Sequence, residues 1–170
     1  MGKHSHEHLA GEMPRSHIYQ EMLFVAFITF WFLDSFIFGL TTPILDIVPI
    51  WISIISALLI MIGGLQLMNA SHKPLFESVE TGLVTTGVFS HVRHPMYLGI
   101  CLVYLALAIG TQSLLSFGVW ILIFLAYDVM ASYEERLLES KFEAEYANYR
   151  ARVRKWIPVR KRESESADTI

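Results

Sequence analysis

Long apolar runs with charge confined to their flanks decide most of what this chain can become. Three stretches, 22–40, about 47–68 and 98–131, contain only Asp34 and Asp128 as acidic or basic residues. A bilayer core is about 30 Å thick and takes about 20 helical residues to cross. The first two runs each supply one span. The third is too long for one helix and carries the polar break Thr111-Gln112-Ser113, so it reads as a helical hairpin. If its first helix starts at Pro95, only 16 residues precede the break, which requires tilt, local thinning or shielding by protein. The fold expected is an all-α integral membrane protein with about four transmembrane helices. Hydrophobic residues at 54% against 17% charged agree with that class rather than with a soluble domain.

The basic residues then orient the spans. With four crossings the N-terminus, the 69–97 segment and the C-terminal region share one side, and they hold all 13 Lys and Arg. The positive-inside rule places that side, with both termini, in the cytoplasm of a cell membrane or endomembrane. The first twenty residues are polar and have no apolar core of their own, so the first span is expected to double as the insertion signal. Cys101 is the single cysteine, which excludes an intrachain disulfide. A net charge of −3 gives no reason to expect a nucleic-acid partner. The organisation expected is a polar tail over 1–20, a membrane domain over 21–158 and a disordered polar tail over 159–170.

After Ala131 the pattern changes to SYEERLLESKFEAEYANYRARVRKWIP. At about 100° per residue, Glu135, Leu138, Phe142, Tyr146, Tyr149 and Val153 fall on one stripe, with Arg136, Glu143, Arg150 and Arg154 on the other side. This is an amphipathic helix continuing out of the last span, on the cytoplasmic side. Glu135 is the odd member of its face. An unpaired carboxylate among apolar and aromatic groups is costly, so it needs a cationic partner, from a ligand or from Arg93 or Arg154. Asp128 lies seven residues earlier on the same stripe.

A second dense set stands at the doorway of the third run, SHVRHPMYLG. Pro95 suits the first turn of a helix, and the free N–H groups after it favour an anion or a polar ligand edge. Arg93 and His94 come just before. Interfacial anchoring accounts for part of this set. His91 and His94 as metal ligands lack a third partner, so no metal site is expected. Asp34, inside a span, is a functional candidate by position. His4, His6 and His8 read as a solvated tail, and Gly63, Gly64 and Gly110 as helix-packing positions.

The order GVFSHVRHPMYLG, an apolar hairpin, then EERLLESKFEAEYANYRARVRKWIP resembles the isoprenylcysteine carboxyl methyltransferase family and the related phospholipid methyltransferases. The likeness covers 80–158. It implies S-adenosylmethionine as cofactor, contacted by His94, Pro95, Met96 and Tyr97 with Glu134, Glu135, Tyr146 and Tyr149. It also implies a basic residue before the final proline, either Arg154 or Lys155. Glu135, Arg93 and Arg154 are then the candidate catalytic residues. The acceptor implied is lipophilic, a prenylated cysteine carboxylate or a phospholipid amine, with membrane lipid as the surrounding partner. Two readings of other classes are a sterol-type NADPH reductase, which shares an RHPxY-like element, and a non-enzymatic membrane protein.

Overall fold

The computed structural model describes residues 15–42, 48–77 and 82–158. Residues 1–14 and 159–170 of the expected tails, with His4, His6 and His8 and the basic residues Arg160, Lys161 and Arg162, lie outside the described residues, while 16–20 of the expected N-terminal tail are helical. Among the described residues the chain is all-α apart from one isolated bridge between Val92 and Arg154. Helix α1 spans Ser16–Phe32 and runs on through a π-helical turn, Leu33–Phe38. Helix α2 spans Ile50–Glu77, α3 Pro95–Thr111 and α4 Leu114–Arg152. Three stretches, Ser16–Phe38, Ile50–His72 and Leu114–Arg152, are long and apolar enough to cross a membrane, while Pro95–Thr111 is a shorter apolar helix. At 17 residues and about 1.5 Å each, α3 is about 25 Å long, which is short of a bilayer core.

The exposed surface is that of a protein solvated by lipid. Met22, Leu59, Leu122 and Val129 are all more than half exposed, and a water-facing surface rarely tolerates so much contiguous apolar area. The core lies between α1, α3 and α4. Phe27 stacks on Tyr104 with ring centroids 4.6 Å apart, and Tyr97, Cys101, Ile123, Tyr127 and Met130 complete the cluster. Helix α2 packs against α3 through glycine. A Cβ on Gly99 would lie 2.7 Å from the Gly64 carbonyl oxygen and 3.1 Å from the Met68 nitrogen, so backbone meets backbone at that crossing. Gly63 has nothing within 4 Å of such an atom; of the glycine pair, only Gly64 makes the packing contact.

The ends of the bundle differ. At one end the π-helical turn, the α1–α2 connection and the α3–α4 turn are tied by Asp34. Its buried carboxylate accepts from the Thr41 backbone N–H, the Thr41 hydroxyl and the Ser113 hydroxyl. Those hydroxyls in turn accept from the Leu115 and Ser116 N–H groups. Every donor in this knot has an acceptor, so Asp34 acts there as a staple between loops. Ser113 is also the N-cap of α4, and Gln112 closes α3 in the left-handed conformation at φ 52°. The start of α3, the end of α2 and the polar half of α4 lie at the opposite end.

Helix α4 is not straight. Glu143 has φ 39° and ψ −112°, the conformation of the first central residue of a type II′ turn, which glycine favours. Holding a glutamate there costs about 1–3 kcal/mol. The turn has a large consequence. A continuous helix would set Asp128 and Lys155, 27 residues apart, about 40 Å apart along its axis. Instead their side chains touch at 2.6 Å. Beyond Glu143 the chain therefore folds back on α4, and residues 144–158 lie over the start of α3. The stripe expected from Glu135 to Val153 survives this reversal, with Glu135, Tyr146, Tyr149 and Val153 all buried.

Candidate active site

Two segments about forty residues apart meet at the polar end. Pro95 at the first position of α3 fixes where that helix begins. Its placement leaves His94 as the cap residue and Arg93 on the approach, directed at α4. One Oε1 of Glu135 lies 3.0 Å from both Arg93 Nη2 and His94 Nε2. His94 Nδ1 faces Glu134 Oε2 at 3.7 Å, and the Tyr97 hydroxyl donates to Glu134 Oε1. The His94 and Tyr97 rings stack within 4° of parallel, and Trp156 tilts against His94 from the returning chain.

All of this is shielded from water. His94, Tyr97, Glu135 and Tyr146 are each less than a tenth exposed. Burial pushes the His94 imidazole below its usual range despite the hydrogen bond to Glu135, and the positive Lys155 and Arg93 reinforce burial. A neutral His94 then donates from Nε2 to Glu135. Burial by itself would raise the Glu135 carboxyl, but the His94 hydrogen bond and the Arg93 charge outweigh it and hold the group below the ordinary carboxylate range. Burial raises the Tyr146 and Tyr149 phenols, so both stay protonated.

Arg93 also ties the ends of the returning chain. Its Nη1 donates to the Arg150 carbonyl at 3.2 Å and its backbone N–H to the Arg154 carbonyl at 3.0 Å, satisfying acceptors that a helix end leaves open. The Tyr149 hydroxyl donates to the Phe89 carbonyl at 2.7 Å, fixing the loop before the doorway. Tyr149 thus braces the wall. Tyr146 differs: its buried hydroxyl has no hydrogen-bond partner among the described residues, and neither has Arg93 Nε.

The candidate residues therefore divide. Arg93, His94, Tyr97, Glu134 and Glu135 form one cluster, with Tyr146 beside it. Pro95 sets the helix start, and Met96 is half-buried in the same turn. The Arg154 side chain is exposed, and that residue contributes through its backbone. Lys155 turns inward, donating to Asp128 Oδ1 at 2.6 Å, the Asp128 carbonyl at 2.9 Å and Ser132 Oγ at 2.7 Å. Trp156 Nε1 donates to the same Asp128 oxygen at 2.7 Å. Asp128, Ser132 and Trp156 were not among the residues expected at the site. The position of Asp128 on the same apolar stripe as Glu135 was the signal that could have found it.

The donor set suits a positively charged ligand with polar edges. Carboxylates and aromatic faces attract a positive centre, while the partnerless Tyr146 hydroxyl and Arg93 Nε are donors or acceptors left for a ligand to satisfy. Among the described residues no group of three or more His, Cys, Asp or Glu could hold a metal ion.

A Protein-S-isoprenylcysteine O-methyltransferase of Schizosaccharomyces pombe is 37% identical over 82 residues, 45% of this chain and 33% of that protein. The matched part thus spans about a third of that relative's length. The family model described as phospholipid methyltransferase matches residues 41–145, which takes in α2, α3, the doorway and both glutamates. The chain belongs to the phospholipid methyltransferase family.

Proposed function

We propose that this protein is a membrane methyltransferase that uses S-adenosylmethionine to methylate a lipophilic acceptor, foremost the carboxylate of an isoprenylcysteine-like molecule. The observation that carries the reading is the meeting of Arg93 and His94 with Glu134 and Glu135 in one buried cluster, in a chain of this family. When bound, the cofactor supplies an electrophilic methyl group on a sulfonium, transferred by in-line displacement. What the chain must do is hold, align and exclude water. Glu134 and Glu135 would hold the ammonium end, Tyr97, Tyr146 and Trp156 would wall the sulfonium and nucleoside, and Arg93 would meet a carboxylate. A carboxylate acceptor arrives ionised and needs a cation to orient it rather than a base. Arg93 and Lys155 provide that positive field.

A phospholipid amine is the second reading, favoured by the family whose model matches. It would require proton removal, for which Glu134 with Tyr97 is the available pair. In either case the arrangement proposed has four membrane crossings with the site and both termini on the cytoplasmic side. Calorimetric titration of the purified protein with S-adenosylhomocysteine and with NADPH is the first test, followed by methyl transfer to a prenylated cysteine and to an amine-bearing phospholipid. The proposal expects S-adenosylhomocysteine to bind and NADPH not to. Binding of NADPH alone would overturn it, and methylation of the amine lipid alone would select the second acceptor.

A further inference from the structure

The cluster just described is closed. With His94, Tyr97, Glu135 and Tyr146 each under a tenth exposed, a nucleoside-sized ligand reaches them only if a wall moves. Helix α3 and the apolar half of α4 are poor candidates, since Tyr97, Cys101 and Tyr104 pack with Tyr127 and Met130 in the buried core. The remaining wall is the returning segment 144–158, which brings Tyr146, Lys155 and Trp156 to the site.

That segment has the anatomy of a moving part. It joins the rest of α4 at Glu143, an exposed non-glycine residue at φ 39°, a position that gains by relaxing when the segment lifts. Its far end is held at Asp128 and Ser132: the Asp128 carboxylate accepts from both Lys155 and Trp156, and Lys155 also donates to the Asp128 carbonyl and Ser132 Oγ. Between these points it hangs on Arg93, through the Arg150 and Arg154 carbonyls, and on the Tyr149–Phe89 hydrogen bond. Beneath it the closed state leaves the Tyr146 hydroxyl and Arg93 Nε without partners among the described residues, so a ligand that supplies them favours closure.

We propose that residues 144–158 form a hinged strap that opens and closes the site about Glu143, with Asp128 as the positioning residue that latches its far end. The hinge and latch rest on geometry alone; that the ligand admitted is S-adenosylmethionine rests on the function proposed above. Asp128 acts through Lys155 and Trp156 and touches no reacting atom.

Hydrogen exchange on the full chain in detergent, with and without S-adenosylhomocysteine, tests both parts. Asp128→Asn keeps an acceptor for Trp156 but loses the charge that holds Lys155. Strap peptides covering 146–156 should exchange about tenfold faster, the change expected for one lost charge-assisted hydrogen bond, while α3 peptides stay at the wild-type rate. Glu143→Gly removes the hinge strain and should slow the same strap peptides about fivefold. Trypsin cleavage after Arg150 and Arg152 should follow the same order. S-adenosylhomocysteine should slow strap exchange in the wild type and dissociate about tenfold faster from Asp128→Asn. Lys155→Met severs the latch from the other side and must act like Asp128→Asn if that variant does not fold. Strap exchange unchanged in these variants, or changing in step with α3, overturns the proposal. Opposite ligand-free shifts in the two variants, with no response to S-adenosylhomocysteine, uphold the strap and sink the cofactor assignment.

Discussion

A single carboxylate oxygen of Glu135 serves both Arg93 and His94, which makes it the residue whose charge the site can least lose. In Glu135→Gln the amide oxygen still accepts one hydrogen bond, but Arg93 is left as a buried cation without its counter-charge. Breaking such a pair costs about 3–5 kcal/mol, so methyl transfer should fall by at least about a hundredfold with a lowered thermal midpoint. Glu134→Gln should be milder, because the new amide oxygen can still accept from the Tyr97 hydroxyl. Single-turnover methylation of matched, monodisperse samples ranks the two, and the reverse ranking would move the charge hub to Glu134. His94 sets a pH dependence of known sign. Its folded pKa lies below the ordinary histidine value, so below pH about 6.5 the unfolded chain binds the extra proton and stability drops as pH falls. The Glu135 contribution is intact above its ordinary value of 4.5 and is lost only as pH falls through its lower folded value. Between pH 7 and 5 the slope attributable to this pair therefore belongs to His94. Melting midpoints of wild type and His94→Gln across that range should diverge as pH rises from 5 to 7; parallel curves would assign the slope to another group.

Among the elements, the α2–α3 crossing is the most demanding on sequence. Met68 Cγ, 2.6 Å from a Cβ on Gly99, belongs to a flexible side chain and can move, but the Gly64 carbonyl at 2.7 Å and the Met68 nitrogen at 3.1 Å are backbone. Gly99→Ala must therefore push two helices apart, at a cost of about 1–3 kcal/mol typical of overpacking. Gly63→Ala, with open space around it, should be neutral or slightly stabilising because alanine is the better helix former. Thermal unfolding in detergent separates them, and equal midpoints would mean that the crossing is looser than its backbone contacts imply. Gly63 and Gly64, adjacent in α2, look alike in the sequence; only the rotational setting of the helix, which turns Gly64 alone onto α3, tells them apart. The Asp34 staple is similar. Its place in an apolar run marked it as a functional candidate, whereas its hydrogen bonds show a knot between two connections at the end away from the cluster.

For the whole molecule, the strongest regularity is the segregation of charge. Helix α2 runs antiparallel to α3, as the Gly64–Gly99 and Gln112–Ser53 contacts require, and α1 ends beside the end of α3 through Trp31 and Thr111. The described basic residues all sit at the end that carries the site, and the opposite connections hold no Lys or Arg. With the positive-inside rule, reporter fusions after Ala70 and after Pro158 should both signal cytoplasm. A signal from the far side for either fusion would refute the four-crossing arrangement.

The sequence by itself determined the class, the positions of the apolar helices, the break at residues 111–113 and the stripe that buries Glu135. Each of these is a local property: a bilayer selects every span by its own length and polarity, and a helix repeats every 3.6 residues wherever it forms. The need of Glu135 for a cation pointed to Arg93 or Arg154, but the convergence of the whole doorway with both glutamates was legible only through resemblance, since nothing local links residues forty positions apart. Tertiary structure alone decided the reversal at Glu143, because glutamate is a good helix former and neither glycine nor proline marks the turn. The contacts of Arg93, Lys155 and Trp156 supply the energy that overrides that preference. The same reversal set the Arg154 and Lys155 side chains on opposite sides of the returning chain. Past α4 the backbone at Val153 is extended, where successive side chains alternate sides, so Val153 is buried, Arg154 faces outward and Lys155 turns in to Asp128.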